Sequence, residues 1–168
     1  MPPAAALVDI APPADATDLA EIKQLFAEYA ASLGFSLDYQ GFDGELEGLP
    51  GAYALAEGGA LLLARAGGAP VGAVALRRLD NQTCEMKRLY VRPGHRGART
   101  AQGQSIGRAL AEAIVAIARG RGYARLRLDT IASKMQAAVR LYHSMGFVDI
   151  APYYKSPVPD TVFMELIL

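Results

Sequence analysis

The chain has 168 residues, of which 52% are hydrophobic, and its 17 Lys/Arg balance its 17 Asp/Glu. That describes one domain spanning residues 1–168 with a full core, and it excludes a disordered chain. No apolar run approaches the roughly 18 residues of a membrane span, and no basic-then-apolar leader opens the sequence. A single cysteine, Cys84, excludes an internal disulfide, so a cytoplasmic protein without membrane or nucleic-acid partners is expected.

In chain order, a short apolar strand near Ala6–Ile10 ends at Pro12 and Pro13. Asp15 or Thr17 caps a helix that Leu19, Ile22, Leu25, Phe26 and Tyr29 carry at helical spacing to about Leu33, with Gly34 as its stop. Residues 35–58 are Gly-rich and acidic, with a short helix near Phe42–Leu46. Ala60–Ala66, the turn Gly67-Gly68 and Val71–Leu79 read as a hairpin. Asp80-Asn81 then turns into a strand over Thr83–Val91.

The spacing of Ile106, Leu110, Ala113, Ile114 and Ile117 predicts an amphipathic helix over Ser105–Arg119. A strand over Ala124–Asp129 follows, then a helix over Ser133–Met145 that Gly146 stops, then strands over Phe147–Ile150 and Val162–Leu168. A strand–helix–strand crossover set among antiparallel hairpins predicts a mixed α+β fold, a sheet flanked by helices.

The segment from Glu85 to Leu110 carries the chemistry. A strand leads into an Arg- and Gly-rich loop and then into a helix start. The first turn of a helix has unpaired N–H groups and a partial positive charge, so it receives anions. Arg92, Arg96 and Arg99 add charge there. The neutral total hides an asymmetry: residues 1–57 hold ten Asp/Glu and one Lys, whereas residues 58–128 hold thirteen Lys/Arg and three Asp/Glu. A polyanionic ligand on one side and a cationic partner on the other follow from that distribution. With one cysteine and two histidines, His95 and His143, no metal site is expected.

Val91-Arg92-Pro93, Arg96-Gly97, Gln102-Gly103-Gln104-Ser105-Ile106-Gly107 and the run Leu141-Tyr142-His143-Ser144-Met145-Gly146-Phe147 together resemble the GNAT superfamily of acyl-CoA-dependent N-acyltransferases. The resemblance implies a mixed, mostly antiparallel sheet of about seven strands with a splayed central pair, Arg88–Val91 parting from Leu126–Asp129. It implies acetyl-CoA as co-substrate. Its pantetheine arm would run beside Leu89, Tyr90 and Val91, and its pyrophosphate would meet Arg96, Gly97, Gln102, Gly103, Gln104, Ser105, Ile106 and Gly107. The chain departs from the family where Ala98–Gly103 adds about six residues and where Ser105 replaces a glycine. That added segment shows no apolar anchor and is expected to be mobile without ligand.

Tyr142 is the candidate acid. A phenol of pKa about 10 gives its proton to a thiolate of about 8.5 uphill by roughly 2 kcal/mol, so it assists by hydrogen bonding or late donation. Its other reading is a core aromatic. Glu85, between Cys84 and Met86, is the candidate base for an ammonium that must lose a proton before it attacks. Its other reading is a hairpin salt bridge. Cys84 reads as a buried small hydrophobe and His143 as solvated or structural.

The loop Ala151–Pro159 brings Tyr153 and Tyr154 as walls of an acceptor pocket. Asp38, Asp43, Glu45 and Glu47 point to a cationic acceptor, an amine-bearing small molecule or peptide. The expected activity is N-acetyl transfer to a primary amine in a ternary complex. The alternative is an acyl-CoA-binding sensor or scaffold without turnover, and a homodimer is compatible with either.

Overall fold

In a computed structural model, which describes residues 7–168, seven strands form one sheet in the order β1-β2-β3-β4-β5-β7-β6. The strands are β1 Val8–Ala11, β2 Ala60–Ala66, β3 Ala69–Arg78, β4 Thr83–Val91, β5 Arg125–Ile131, β6 Val148–Ile150 and β7 Thr161–Ile167. Every neighbouring pair is antiparallel except β4 and β5, which are parallel. The helices are α1 Ala16–Ser32, α2 Phe42–Glu47, α3 Ile106–Gly120 and α4 Gln136–Ser144. The expected mixed, mostly antiparallel seven-stranded sheet is therefore the one found. The expected start of the first strand at Ala6 lies outside the described residues.

Local chemistry sets the element ends. Asp15, not Thr17, caps α1: its side chain accepts from the Asp18 N–H at 2.9 Å. The β2–β3 hairpin turns on Gly67 and Gly68, whose φ values of 58° and 86° suit the tight turns that match strand twist. Most boundaries fall within two residues of those expected, and the start of α4 differs by three. α4 starts at Gln136 instead of Ser133, because Lys134 and Met135 both donate to the Ile131 carbonyl and form a turn straight off β5.

The sheet is covered on both faces. Leu62, Ala64, Val74 and Leu76 pack with Leu110 and Ile114 of α3 and with Tyr142 and Phe147 at the end of α4. Leu61, Leu63, Ala73 and Ala75 face the other way, onto Ile22, Leu25 and Phe26 of α1 and Phe42 of α2. Alternate residues of β2 and β3 thus feed two cores, as strands buried on both faces must.

Two features open the centre of the sheet. The β4–β5 ladder has the pairs Thr83↔Arg125, Cys84↔Leu126 and Glu85↔Arg127 and then ends, while β5 continues paired to β7 as far as Ile131. On the other edge of β4 the register against β3 shifts between Ala73 and Ala75, and within the shift Arg88 adopts φ 62°. This is a β-bulge, which bends and twists a strand. A non-glycine residue in that region is uncommon and persists where its surroundings hold it. Arg88 is held by a fork onto Glu45, with Nε to Oε2 at 3.0 Å and Nη2 to Oε1 at 3.1 Å.

Candidate active site

Beyond Glu85 the parted edges of β4 and β5 enclose a cavity of about 80 Å³. Its walls are Met86–Leu89 of β4, Leu128–Ile131 of β5, Tyr29 and Leu33 of α1, the segment with Tyr39 and Gln40, and Met135, Ala138 and Tyr142 around α4. A groove of about 510 Å³ continues from it along Leu89, Tyr90 and Val91 to Arg96, Ser105 and Gly107. Both are lined by Tyr29, Leu33, Leu89, Met135 and Ala138, so they form one channel from the start of α3 to the middle of the sheet.

The groove end gathers a positive charge and open backbone amides. Ser105 caps α3, its hydroxyl accepting from the Arg108 N–H at 3.2 Å. The Gly97 and Gly107 amides have no hydrogen-bond partner among the described residues. Arg96 anchors its Nε on the Val91 carbonyl at 3.0 Å and lies over the Tyr90 ring at 5.9 Å, so its charge sits on the groove wall. Arg92 does not contribute, because its fork binds Glu28 at 2.7 and 2.9 Å and its Nη1 binds the Pro70 carbonyl.

Of the residues expected at the pyrophosphate, Arg96, Ser105 and Gly107 line the groove. Ile106 is buried in the core, so only its amide is available. The Gln104 side chain donates to Glu112, and Gln102 and Gly103 lie at the exposed tip of a turn. The added residues are ordered more than expected. Arg99 and Ser105 form an antiparallel bridge, Thr100 N–H donates to the Gln104 carbonyl at 2.8 Å, and Ala98 packs against the core after all.

Tyr142 is buried, its ring tilted 57° to Phe147 with centroids 5.6 Å apart, and it still lines the cavity. Its hydroxyl makes no side-chain hydrogen bond among the described residues, which leaves it free to face a substrate atom. Burial raises its pKa above that of an ordinary phenol, with Tyr29 and Asp129 adding to the effect. Burial likewise pushes Tyr29 up to about 12.

Glu85 is 0% exposed. Its Oε1 takes Arg77 Nε at 2.8 Å and stands 3.7 Å from Lys87 Nζ, and its Oε2 takes the Tyr153 hydroxyl at 2.5 Å. It therefore adjoins the cavity through Lys87 and does not line it. The carboxylate that lines the cavity is Asp129, at the far end of β5, where Tyr154 donates to its Oδ2 at 2.7 Å. Tyr153 and Tyr154 both stack edge-on against Phe163, at 5.1 and 5.0 Å, which fixes the loop they sit on. Burial, with Glu85 and Asp129 respectively, raises both phenols.

Of the acidic residues expected to face the acceptor, Asp38, Asp43 and Glu47 are exposed, and Glu45 is engaged with Arg88 and Tyr53. Sequence reasoning passed over Asp129, Gln40 and Tyr29. A lone carboxylate closing an apolar strand, Leu126–Asp129, was the one available signal.

The family model described as the acetyltransferase (GNAT) family matches residues 22–147. The chain belongs to that family. It is 37% identical over 150 residues to an uncharacterized N-acetyltransferase of Schizosaccharomyces pombe, covering 89% of this chain and 88% of that one. Among solved structures it resembles an acetyltransferase from Streptococcus agalactiae, with TM-score 0.73, 24% identity and coverage of 96% and 98% of the two chains. It also resembles a Salmonella typhimurium protein solved with its cofactor acetyl-CoA, with TM-score 0.69, 24% identity and coverage of 95% and 93%. For this GNAT chain the splayed β4–β5 pair lies inside the matched residues, as does the loop leading into α3.

Proposed function

We propose that this protein transfers an acetyl group from acetyl-CoA to a primary amine, on a small molecule or a peptide, by direct attack in a ternary complex. The observation that carries the reading is the single channel that joins the start of α3 to the cavity between β4 and β5. Family membership supports it, as does the acetyl-CoA found in the Salmonella typhimurium neighbour.

The donor's phosphates suit the Arg96 guanidinium and the open amides of Gly97 and Gly107. Its amide-bearing arm suits the unpaired edge of β4 along Leu89, Tyr90 and Val91. Its thioester supplies an activated acyl carbon. Asp129 attracts the ammonium into the cavity and takes its proton, directly or through a water. Tyr142 holds a hydrogen bond on the sulfur while the carbon–sulfur bond breaks. Its raised pKa makes early donation still less favourable than for an ordinary phenol, so its help comes from the hydrogen bond and a late proton. Glu85 acts one step away, holding Lys87, Arg77 and Tyr153 in place.

The test is release of free thiol from acetyl-CoA across a panel of amines, with calorimetry of acetyl-CoA binding at low and high salt. The expected result is amine-dependent release together with salt-sensitive binding. Binding without release from any amine would leave a sensor or scaffold, and no binding would end the acyl-CoA reading altogether.

A further inference from the structure

The charges around the cavity pair unevenly. The charge of Arg88 is met: Glu45 takes Nε and Nη2, Gln40 Oε1 takes Nη1 at 2.7 Å, and the Phe42 ring lies 5.0 Å from its guanidinium carbon. Lys87 is not. Its side chain is 7% exposed, and its one hydrogen bond is to Gln40 Oε1 at 3.2 Å. An ammonium has three donors, so two remain without an acceptor among the described residues. Its nearest counter-charge, Glu85, is 3.7 Å away and is already bonded to Arg77 at 2.8 Å. One carboxylate thus serves two cations, and a positive charge is left over at the cavity wall. On the opposite strand Asp129 is bonded to a neutral phenol, which leaves a negative charge over. A cavity that presents one surplus ammonium and one surplus carboxylate complements a ligand bearing both charges in the opposite sense.

We propose that the acceptor is a small zwitterion, an amine with a carboxylate a few bonds away, as in an α-amino acid. This rests on the acetyltransferase reading above. The carboxylate bonds to the two free donors of Lys87, and the ammonium lies against Asp129. Asp129 first takes one proton from the ammonium; the freed nitrogen lone pair forms its bond to the acyl carbon, the carbon–sulfur bond breaks, and the second proton of the nitrogen replaces the one that Tyr142 gives to the sulfur, so coenzyme A leaves as the thiol. Burying Lys87 without that ligand disfavours its charged form, and a bound carboxylate offsets the loss.

Matched pairs test this. Each amino acid is compared with its primary carboxamide, which keeps the size and removes the charge, by following thiol release from acetyl-CoA. The amide's amine is less basic and more readily deprotonated, so intrinsic reactivity works against the predicted preference. The expected result is kcat/KM at least about tenfold higher for the acids, a typical margin for one charge-assisted contact. In Lys87→Met the acid-to-amide ratio falls towards one, and in Lys87→Arg it is largely retained. A ratio within one variant does not depend on the fraction that folds. Amides used as well as acids, or a ratio unchanged in Lys87→Met, overturn the zwitterion inference and leave the acetyltransferase reading standing. No release from either set overturns the zwitterion inference as well, and the wider amine panel then decides the acetyltransferase reading by itself.

Discussion

The Tyr153 hydroxyl donates to Glu85 Oε2 at 2.5 Å, joining the loop after β6 to the strand that opens the cleft. This contact, with Arg77 on the other oxygen, makes Glu85 the buried tie between the acceptor-side loop and the sheet. Two carboxylates therefore stand beside the cavity with different access to it.

Glu85→Gln is expected to lower thermal stability by less than the roughly 3–5 kcal/mol typical when one partner of a fully buried ion pair is removed, because the Arg77 side chain is 39% exposed. It is expected to reduce kcat without moving the pH–rate profile. Asp129→Asn is expected to move the profile to higher pH, since solvent must then deprotonate the amine. Rates measured from pH 6 to 10 for both variants decide the assignment. A shifted profile in Glu85→Gln with none in Asp129→Asn would make Glu85 the base.

Tyr142→Phe keeps the ring packed against Phe147 and removes only the hydroxyl that faces the cavity. The expectation is a kcat lower by about tenfold to a thousandfold, the usual span of an acid–base contribution, with acetyl-CoA affinity little changed. An unaltered kcat would return Tyr142 to the core alone.

The order of elements was legible because it rests on local signals. Helical spacing of Ile22, Leu25 and Phe26, the Gly67-Gly68 turn and the capping residue Asp15 each act within a few positions. The groove was legible for a similar reason, since Val91, Arg96, Ser105 and Gly107 lie close together along the chain. The cavity was not. Arg88 meets Glu45 across 43 positions, and Tyr154 meets Asp129 across 25. Such pairs exist only once β4 and β5 have parted, and no periodicity encodes them. The charge asymmetry is partly internal to the fold: Glu28 and Glu45 pair with Arg92 and Arg88 from the basic half of the chain.

The Glu28–Arg92 pair fastens α1 to the residue just past β4. The Arg92 hydrogen bond holds the Glu28 carboxyl below its ordinary 4.5, so the stabilisation is complete above about 4.5 and fades as pH falls through the lower folded value. With side chains 28% and 33% exposed, solvent screening limits the pair to about 0.5–1 kcal/mol. Glu28→Gln should lower Tm by about 1–4 °C at pH 7, and the gap from wild type should narrow as pH falls below about 4.5. Melting curves at pH 7, 5 and 3.5 check it; a gap that stays constant with pH would mean the loss is one of packing.

The added segment before α3 gives the sharpest test of how the groove is built. Arg99 and Ser105 face each other across an antiparallel bridge, and the Thr100 N–H closes the turn on the Gln104 carbonyl. The excursion therefore returns to where it began, and the chain on either side is already close together. Shortening a closed turn changes loop-closure entropy little, roughly 0.6 kcal/mol per halving of length. Ala98 gives up a modest contact with the core, and the Ser105 cap on α3 remains. Deleting residues 98–103 should thus leave a folded protein in which Gln104 follows Gly97. Acetyl-CoA affinity should change by less than about tenfold, because Arg96, Ser105 and Gly107 stay on the groove wall. Circular dichroism and calorimetry of the deletion variant measure both. A variant that unfolds, or that no longer binds acetyl-CoA, would show that the turn itself forms part of the phosphate site.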